Sequence, residues 1–300
     1  MPRRAAFSPN CDFQGGGVDS SGSSDFGQKV HWRRAAGNLF AQIAGGLTSV
    51  FFPAPCRLCG EVLSEASRIP ICHSCLDHIS PFDSPLCPRC GRPFVSSIAV
   101  ADIERPLCHG CRRGLYDFDF ARSYAAYGDS MAGAVVLLKY ERVTPLADLF
   151  ADWLAPIVRA NESEIRPDVV ASVPLHRARL RERGYNQAEL IACALARKLG
   201  LPYRKHLLVR TKPRPEKRRM TVHERWQSVK NAFELRQGDW VDKLRILLVD
   251  DVLTTGATLD ACSRALRGAG AAYVAAVTVA RAVPRSQGLD TQSTPRNAKQ

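Results

Sequence analysis

The sequence predicts an α/β protein, a mainly parallel twisted sheet flanked by helices, with a small cysteine-rich module in front of it. In the second part of the chain, apolar strand-like runs alternate with amphipathic helical segments, which is the order of a parallel sheet with helical crossovers. The first part is dense in Cys, Pro and Gly and has no long apolar runs, so it needs metal rather than a core for stability. The strand-like runs are Phe118–Ala126, Val169–Val173, Ile246–Val249 and Tyr273–Ala280.

The length of the chain limits how many domains it can form, and its charge indicates which kinds of partner it binds. The 300 residues have 45% hydrophobic content and a formal net charge of +13. That charge favours anionic partners such as phosphorylated metabolites, nucleic acid or acidic lipid headgroups without choosing among them. We expect a flexible tail over residues 1–37, an N-terminal helix and metal module over 38–115, the α/β domain over 116–284 and a second flexible tail over 285–300.

Cysteine usage indicates a reducing compartment. The chain opens with no apolar run bounded by a small-residue cleavage site, so we expect no signal peptide and a cytoplasmic location. In that compartment metal binding is favoured over disulfides.

The apolar stretch Leu39–Pro55 is interrupted by Gln, Gly and Pro and is shorter than the roughly 20 residues that span a bilayer, so we predict no transmembrane helix.

Eight of the eleven cysteines form four Cys-x-x-Cys pairs. Each pair places two thiolates on a tight turn, and two pairs complete one tetrahedral Cys₄ zinc site without an open position, so we predict two structural zinc ions. Iron–sulfur ligation, redox dithiols and inert thiols are less favoured by this repetition. Sequential and interleaved pairing of the turns both remain open. The cysteines are Cys56, Cys59, Cys72, Cys75, Cys87, Cys90, Cys108 and Cys111.

Two helices have clear start and stop signals. Apolar positions at helical spacing run over Asn186–Leu199, where Asn186 is placed to cap the start and Gly200 follows the end. A second helix is predicted from Gly256 to about Gly268 by the same stop rule.

A candidate phosphate site follows the third strand-like run. The run Ile246–Val249 is typical of a strand buried on both faces, and it stops at Asp250 and Asp251. The loop Thr254–Thr258 then offers hydroxyls, a glycine and backbone amides at a helix N-terminus, which suits a phosphate. Both carboxylates can serve one ligand only where the strand ends and the chain turns. The competing interpretation is a capped helix after an ordinary turn, and the whole string favours the phosphate site.

The string Ile246–Thr258 resembles the signature of type I phosphoribosyltransferases, which bind 5-phosphoribosyl 1-pyrophosphate. The resemblance implies that fold for the α/β domain, and that Asp250 and Asp251 hold the two ribose hydroxyls beside Mg²⁺. It implies that the 5-phosphate is held by Thr254, Thr255, Gly256, Ala257 and Thr258. Some family members have an acid at the position of Thr254 that assists the base, and this chain lacks it.

A closer resemblance covers the chain from Pro53 to about Pro284. It is similar to the ComF family, the competence-associated double-zinc-ribbon phosphoribosyltransferases. The shared features are the cysteine-rich head, Leu138-Lys139-Tyr140, Val173-Pro174-Leu175-His176 and Arg183-Gly184-Tyr185-Asn186-Gln187.

The resemblance also implies a pyrophosphate turn and a mobile hood. The hood matches Thr211–Phe233, in which Arg225, Asn231 and Phe233 keep the family order, although the glutamine common early in that loop is absent. The positions that match the pyrophosphate turn are Val173, Pro174, Leu175, His176 and Arg177.

Two functions follow from this resemblance. The first is Mg²⁺-assisted transfer of phosphoribosyl, a glycosyl transfer, to an unidentified base or amine in a protein associated with DNA uptake. The second is a non-catalytic protein that senses phosphoribosyl pyrophosphate or binds single-stranded DNA for the competence machinery. Basic clusters at Arg177–Arg183 and Lys212–Arg219 suit either a leaving pyrophosphate or a nucleic-acid backbone. The acceptor and the oligomeric state do not follow from the sequence.

Overall fold

The computed structural model describes residues 54–65, 67–83, 85–94, 106–213 and 220–283. The predicted tails, the predicted N-terminal helix and residues 214–219 of the basic loop lie outside these ranges. Contacts divide the chain into two compact units, Met1–Ile79 and Ser80–Gln300. The predicted metal module, residues 38–115, contains all eight paired cysteines, whereas the contacts place the last four of them in the same unit as the sheet.

The described part of the unit Met1–Ile79 is a small metal-ribbon fold. A tight turn is closed by an isolated bridge between Pro55 and Val62, and one short helix, α1 (His73–Asp77), follows it. Leu63, Ile71 and Ile79 are its buried apolar residues. A domain with so few buried apolar residues needs a further source of stability, such as a bound metal ion.

The unit Ser80–Gln300 contains the α/β domain. In chain order its elements are α2 (His109–Arg112), β1 (Phe120–Ala126), α3 (Asp129–Tyr140), α4 (Leu146–Ala160), α5 (Glu162–Ile165), β2 (Val169–Ser172), α6 (Arg177–Arg183), α7 (Gln187–Leu199), β3 (Leu208–Arg210), α8 (Val222–Val229), β4 (Phe233–Leu235), β5 (Arg245–Leu253), α9 (Ala257–Gly268) and β6 (Tyr273–Arg281). The four-stranded sheet has the order β1-β6-β5-β2 and all its pairings are parallel, and β3 and β4 form a separate antiparallel pair.

The parallel sheet and its four strands confirm the predicted fold class. One strand boundary is wrong: β5 does not stop at Val249 but continues to Leu253. The extra residues pair with β6, Asp250 opposite Thr278 and Leu253 opposite Arg281. Ladder hydrogen bonds to a neighbouring strand outweigh the low strand propensity of two acidic residues.

The two helices with clear signals form as predicted. Asn186 caps α7 by accepting a hydrogen bond from the amide of Ala188 at 3.1 Å, and Gly200 ends it with φ of 68°. The helix α9 begins directly after Gly256 and ends at Gly268. Among the described helices, none is both long enough and apolar enough to cross a membrane.

Helices cover both faces of the sheet, and adjacent strands connect to opposite faces. Helix α7 packs against β2 and β5, and α4 packs beside it against β1 and β6. On the other face, Ile246 and Leu248 of β5 share a hydrophobic cluster with Leu259, Cys262 and Leu266 of α9. The chain therefore leaves β2 toward one face and β5 toward the other. This arrangement opens a crevice at the carboxyl ends of those strands, where α/β proteins bind ligands.

Candidate functional site

The first four paired cysteines form one cluster. Their sulfur atoms lie within 4.8 Å of one another. Cys56 Sγ is 3.9 Å from Cys75 Sγ, and Cys59 Sγ is 3.6 Å from Cys72 Sγ. The amides of Leu58 and Cys72 donate hydrogen bonds to Cys56 Sγ at 3.4 and 3.3 Å, which favours a thiolate there.

The last four paired cysteines form a second cluster of the same kind within the unit Ser80–Gln300. Their sulfur atoms also lie within 4.8 Å of one another, and Cys90 Sγ is 3.5 Å from Cys108 Sγ. The amide of Cys108 donates to Cys87 Sγ at 3.4 Å, the counterpart of the bond from Cys72 to Cys56. Pairing is therefore sequential, which answers the question that the spacing left open.

Both clusters fit zinc. A tetrahedral ion with Zn–S bonds of about 2.3 Å separates its sulfur ligands by about 3.8 Å. The sulfur–sulfur distances of 3.5 to 3.9 Å agree with that value. Four thiolates at each position supply a complete ligand set, so the chemistry of the donors supports structural rather than catalytic metal.

The two ribbons repeat the same backbone turn. In the first, the amide of Gly60 donates to Cys56 O at 2.9 Å; in the second, the amide of Gly91 donates to Cys87 O at 2.9 Å. Both glycines have positive φ, 83° and 67°. We call them the knuckle glycines. Gly60 faces open space, whereas a Cβ on Gly91 would lie 2.6 Å from the carbonyl oxygen of Ala121 in β1.

Arginine side chains tie the second cluster to the sheet. Arg281, which ends β6 and is 3% exposed, donates to Cys90 O at 2.7 Å. Arg89 donates to the carbonyl oxygens of Tyr116 at 2.5 Å and Phe118 at 3.1 Å. Arg122 of β1 donates to Pro88 O at 3.0 Å. The second cluster is therefore part of the core that supports the sheet.

The predicted acidic pair lies at the crevice but on opposite faces of β5. Strand β2 pairs with β5 only as far as Ser172 opposite Val249, so Asp250 and Asp251 lie just beyond the last paired residue. Asp251 is 5% exposed and faces α7. Because β5 continues through both residues, successive side chains alternate and Asp250 faces the side of α9. A single ligand meets both carboxylates only from beyond the end of the sheet.

Asp251 is held by the half-buried Lys139 and the buried Gln187. Lys139 Nζ of α3 lies 2.8 Å from Asp251 Oδ1, and Gln187 Nε2 of α7 donates to Asp251 Oδ2 at 2.5 Å. Arg183 Nη1 donates a hydrogen bond to the other polar atom of that amide, Gln187 Oε1. Burial disfavours the charge on Lys139, but Asp251 outweighs it, and the pKa of Lys139 is raised. The lysine therefore stays charged at neutral pH.

The predicted phosphate loop, Thr254–Thr258, joins β5 to α9 and is supported by Tyr116. Gly256 has φ of 86°, and a Cβ there would lie 2.6 Å from Tyr116 Cε1, so glycine is required on both counts. Tyr116 Oη donates to Thr255 O at 3.3 Å, and the amide of Ala257 donates to Thr255 Oγ1 at 3.4 Å. The first turn of α9 follows this loop directly, and the backbone amides in the first turn of a helix bind anions.

The predicted pyrophosphate turn follows β2 on the other side of the crevice. The amide of Val173 donates to Val249 O at 2.9 Å, and Asn186 Nδ2 donates to Val173 O at 3.0 Å. Val173 is therefore a fixed support at the start of the turn. His176 caps α6 by accepting from the amide of Ala178, and Arg177 is exposed at the first position of that helix. Pro174 and Leu175 are half-buried between these points.

The hood contacts the phosphate loop through α8. A capping box formed by Thr221 and Glu224 fixes the start of this helix. Arg225 Nη1 donates to Thr254 Oγ1 at 3.2 Å, and the Trp226 ring stacks on Tyr116 with 6.2 Å between centroids. A guanidinium thus lies beside the first residue of the loop.

Comparison with known proteins agrees with this architecture. A family model described as a double zinc ribbon domain matches residues 47–112, and one described as a phosphoribosyl transferase domain matches residues 186–294. The chain is 28% identical over 237 residues to Competence protein F of Haemophilus influenzae, which covers 77% of this chain and 99% of that protein. It is 31% identical over 225 residues to DNA utilization protein YhgH of Salmonella typhimurium, covering 74% of this chain and 94% of that protein. The chain belongs to the ComF family.

The match to the phosphoribosyl transferase domain model and the parallel sheet flanked by helices confirm the predicted type I phosphoribosyltransferase fold of the α/β domain. Among solved structures, a purine phosphoribosyltransferase from Pyrococcus horikoshii matches with 20% identity and a TM-score of 0.29, over 45% of this chain and 71% of that one. Three residues of this site, Lys139, Gln187 and Tyr116, have no role in the sequence-based prediction. Lys139 and Gln187 belong to the motifs that this chain shares with the ComF family, and that position is the signal that could have indicated them. Tyr116 follows the last zinc-ligand cysteine and carried no signal.

Proposed function

We propose that this ComF-family protein binds 5-phosphoribosyl 1-pyrophosphate with Mg²⁺ and transfers the phosphoribosyl group to a base or an amine. The observation that carries the proposal is the position of the signature string: a glycine-containing loop at the start of α9, next to two carboxylates, in the crevice between β2 and β5. Carboxylate oxygens are donors that suit Mg²⁺, so the residues fit the metal.

The proposed transfer breaks the bond between ribose C1 and the pyrophosphate oxygen, which leaves with the electron pair. A nitrogen of the acceptor forms the new bond to C1, and the proton that it loses passes to the leaving pyrophosphate or to water. The amides and hydroxyls of Thr254–Thr258 hold the 5-phosphate, and Asp250 and Asp251 accept hydrogen bonds from the ribose hydroxyls. Arg177 neutralises charge on the pyrophosphate from the opposite side of the crevice. Magnesium, when bound, also neutralises that charge. The protein contributes positioning and electrostatic stabilisation.

Calorimetry on the full chain tests the binding step. Phosphoribosyl pyrophosphate is titrated with and without Mg²⁺, and ribose 5-phosphate serves as a control for the 5-phosphate alone. We expect Mg²⁺-dependent binding that weakens about tenfold or more in Asp250→Asn, because a charge-assisted hydrogen bond is lost. No binding in the presence of Mg²⁺ would refute the proposal. A screen for pyrophosphate release across bases and amines then tests transfer.

The second candidate is a protein that binds single-stranded DNA and no longer transfers phosphoribosyl. The names of the relatives, a competence protein and a DNA utilization protein, support this candidate, as do the exposed Arg177 and Arg181 of α6. Binding of a fluorescent oligonucleotide should weaken steeply with salt and weaken further in Arg177→Ala/Arg181→Ala. Pyrophosphate release with any acceptor would reject the non-catalytic form of this candidate.

A further inference from the structure

The ion pair between Lys139 and Asp251 is unusual for its burial. The two side chains are 19% and 8% exposed, and Lys139 Nζ lies 2.8 Å from the carboxylate. Most other ion pairs in the described part of the chain have at least one partner that is more than one-third exposed, such as Lys198 with Asp152, at 30% and 59%. Taking two charges out of water costs free energy that their attraction often fails to recover. Stability alone therefore gives a weak reason for this pair.

Each carboxylate oxygen of Asp251 accepts a hydrogen bond from a different side chain. Lys139 neutralises Oδ1, and the Gln187 amide fixes Oδ2. Each oxygen of an ionised carboxylate has a second lone pair, so Asp251 can still accept a ribose hydroxyl in a fixed orientation. With Lys139 in place the pair carries no net charge. A divalent cation therefore gains little attraction from Asp251.

We propose that Lys139 is a positioning residue that does at Asp251 what a metal ion would otherwise do. It neutralises this carboxylate and holds it oriented for the ribose without magnesium. This inference rests on the proposed function for its ligand. The two acidic residues of the signature then differ in their surroundings. Asp251 is held by the ammonium group of Lys139, and Asp250 lies on the other face of β5.

The experiment compares Lys139→Met with the parent, with Lys139→Arg, and with Lys198→Met as a matched control on another ion pair. Affinity for phosphoribosyl pyrophosphate is measured by calorimetry over a series of Mg²⁺ concentrations. Mg²⁺ alone is titrated in parallel. We expect K139M to lose about tenfold in ligand affinity at low Mg²⁺, to recover part of it at high Mg²⁺, and to bind Mg²⁺ alone about tenfold more tightly than the parent.

A purely structural role for the pair is tested by Lys139→Met/Asp251→Asn. Removing both charges leaves no buried ion unpaired, so this variant should melt near the parent temperature. Our inference predicts that it nevertheless binds phosphoribosyl pyrophosphate about tenfold more weakly. Parent-like ligand affinity in this folded variant would reduce the pair to a structural contact. The variant also keeps the test open if K139M alone fails to fold.

The outcomes separate the two proposals. Absence of ligand binding by the parent at any Mg²⁺ concentration overturns the proposed function. Unchanged Mg²⁺ affinity in K139M overturns the inference about Lys139, whichever way the first result falls. Recovery of the parent's Mg²⁺ dependence in K139R, with no change in K198M, supports it.

Discussion

The two cysteine clusters have the same ligands, the same backbone turns and different surroundings. In the first, Cys59 is exposed and Cys72 and Cys75 are half-buried, and the cluster belongs to the unit Met1–Ile79. In the second, Cys87, Cys90, Cys108 and Cys111 are all buried and share a hydrophobic cluster with the sheet. The same motif therefore belongs to a small ribbon in the unit Met1–Ile79 and to the hydrophobic core beside the sheet in the unit Ser80–Gln300. Ligand spacing determines the metal, and burial determines what the metal stabilises.

The largest expected difference follows from removing one ligand from each cluster. Cys90→Ser should lose one zinc ion and destabilise the unit that contains the sheet by more than about 4 kcal/mol, because structural zinc contributes folding free energy directly. Cys59→Ser should also lose one zinc ion but leave the melting of that unit unchanged. Zinc content and thermal unfolding followed by circular dichroism measure both effects. Equal melting of the two variants would show that the ribbons are equivalent.

The knuckle glycines give a smaller and more local test. Gly60→Ala places a side chain at positive φ in open space and should cost about 1 kcal/mol. Gly91→Ala adds a contact of 2.6 Å with the carbonyl oxygen of Ala121. That atom is backbone in β1 and cannot move away cheaply, so we expect a total cost of about 3 kcal/mol. Denaturant unfolding measures the difference. A smaller loss in G91A than in G60A would contradict it.

What the sequence could predict is what local chemistry controls. The bounds of α7 followed from Asn186 and Gly200, and the start of α9 from Gly256, because caps and positive-φ residues act on their immediate neighbours. The alternation of apolar runs and helical segments predicted the parallel sheet, because the spacing of apolar residues within each segment indicates its own secondary structure.

The missed features all depend on partners distant in sequence. Strand β5 runs through its acidic pair because β6 supplies hydrogen bonds there. Lys139 meets Asp251 across 112 residues, and Tyr116 meets Thr255 across 139. The burial of the second cysteine cluster depends on arginines such as Arg281, 191 residues from Cys90. No local spacing encodes such contacts.

The smallest expected effect concerns Tyr116, through which the second ribbon reaches the phosphate loop. Its ring packs on Gly256 and Trp226, while its hydroxyl makes one hydrogen bond of 3.3 Å to Thr255 O. Burial raises the pKa of Tyr116 to about 12, so the hydroxyl is protonated and donates at neutral pH.

Tyr116→Phe keeps the ring and removes only that bond, so it should lower stability by about 0.5–1 kcal/mol and ligand affinity by no more than about fivefold. Tyr116→Ala also removes the packing on Gly256 and should cost about 3 kcal/mol or more. Thermal unfolding and titration with phosphoribosyl pyrophosphate distinguish the two losses. If Y116F alone weakened binding a hundredfold without lowering the melting temperature, the hydroxyl would contact the ligand directly, and the second ribbon would supply a binding group rather than a wall behind the loop.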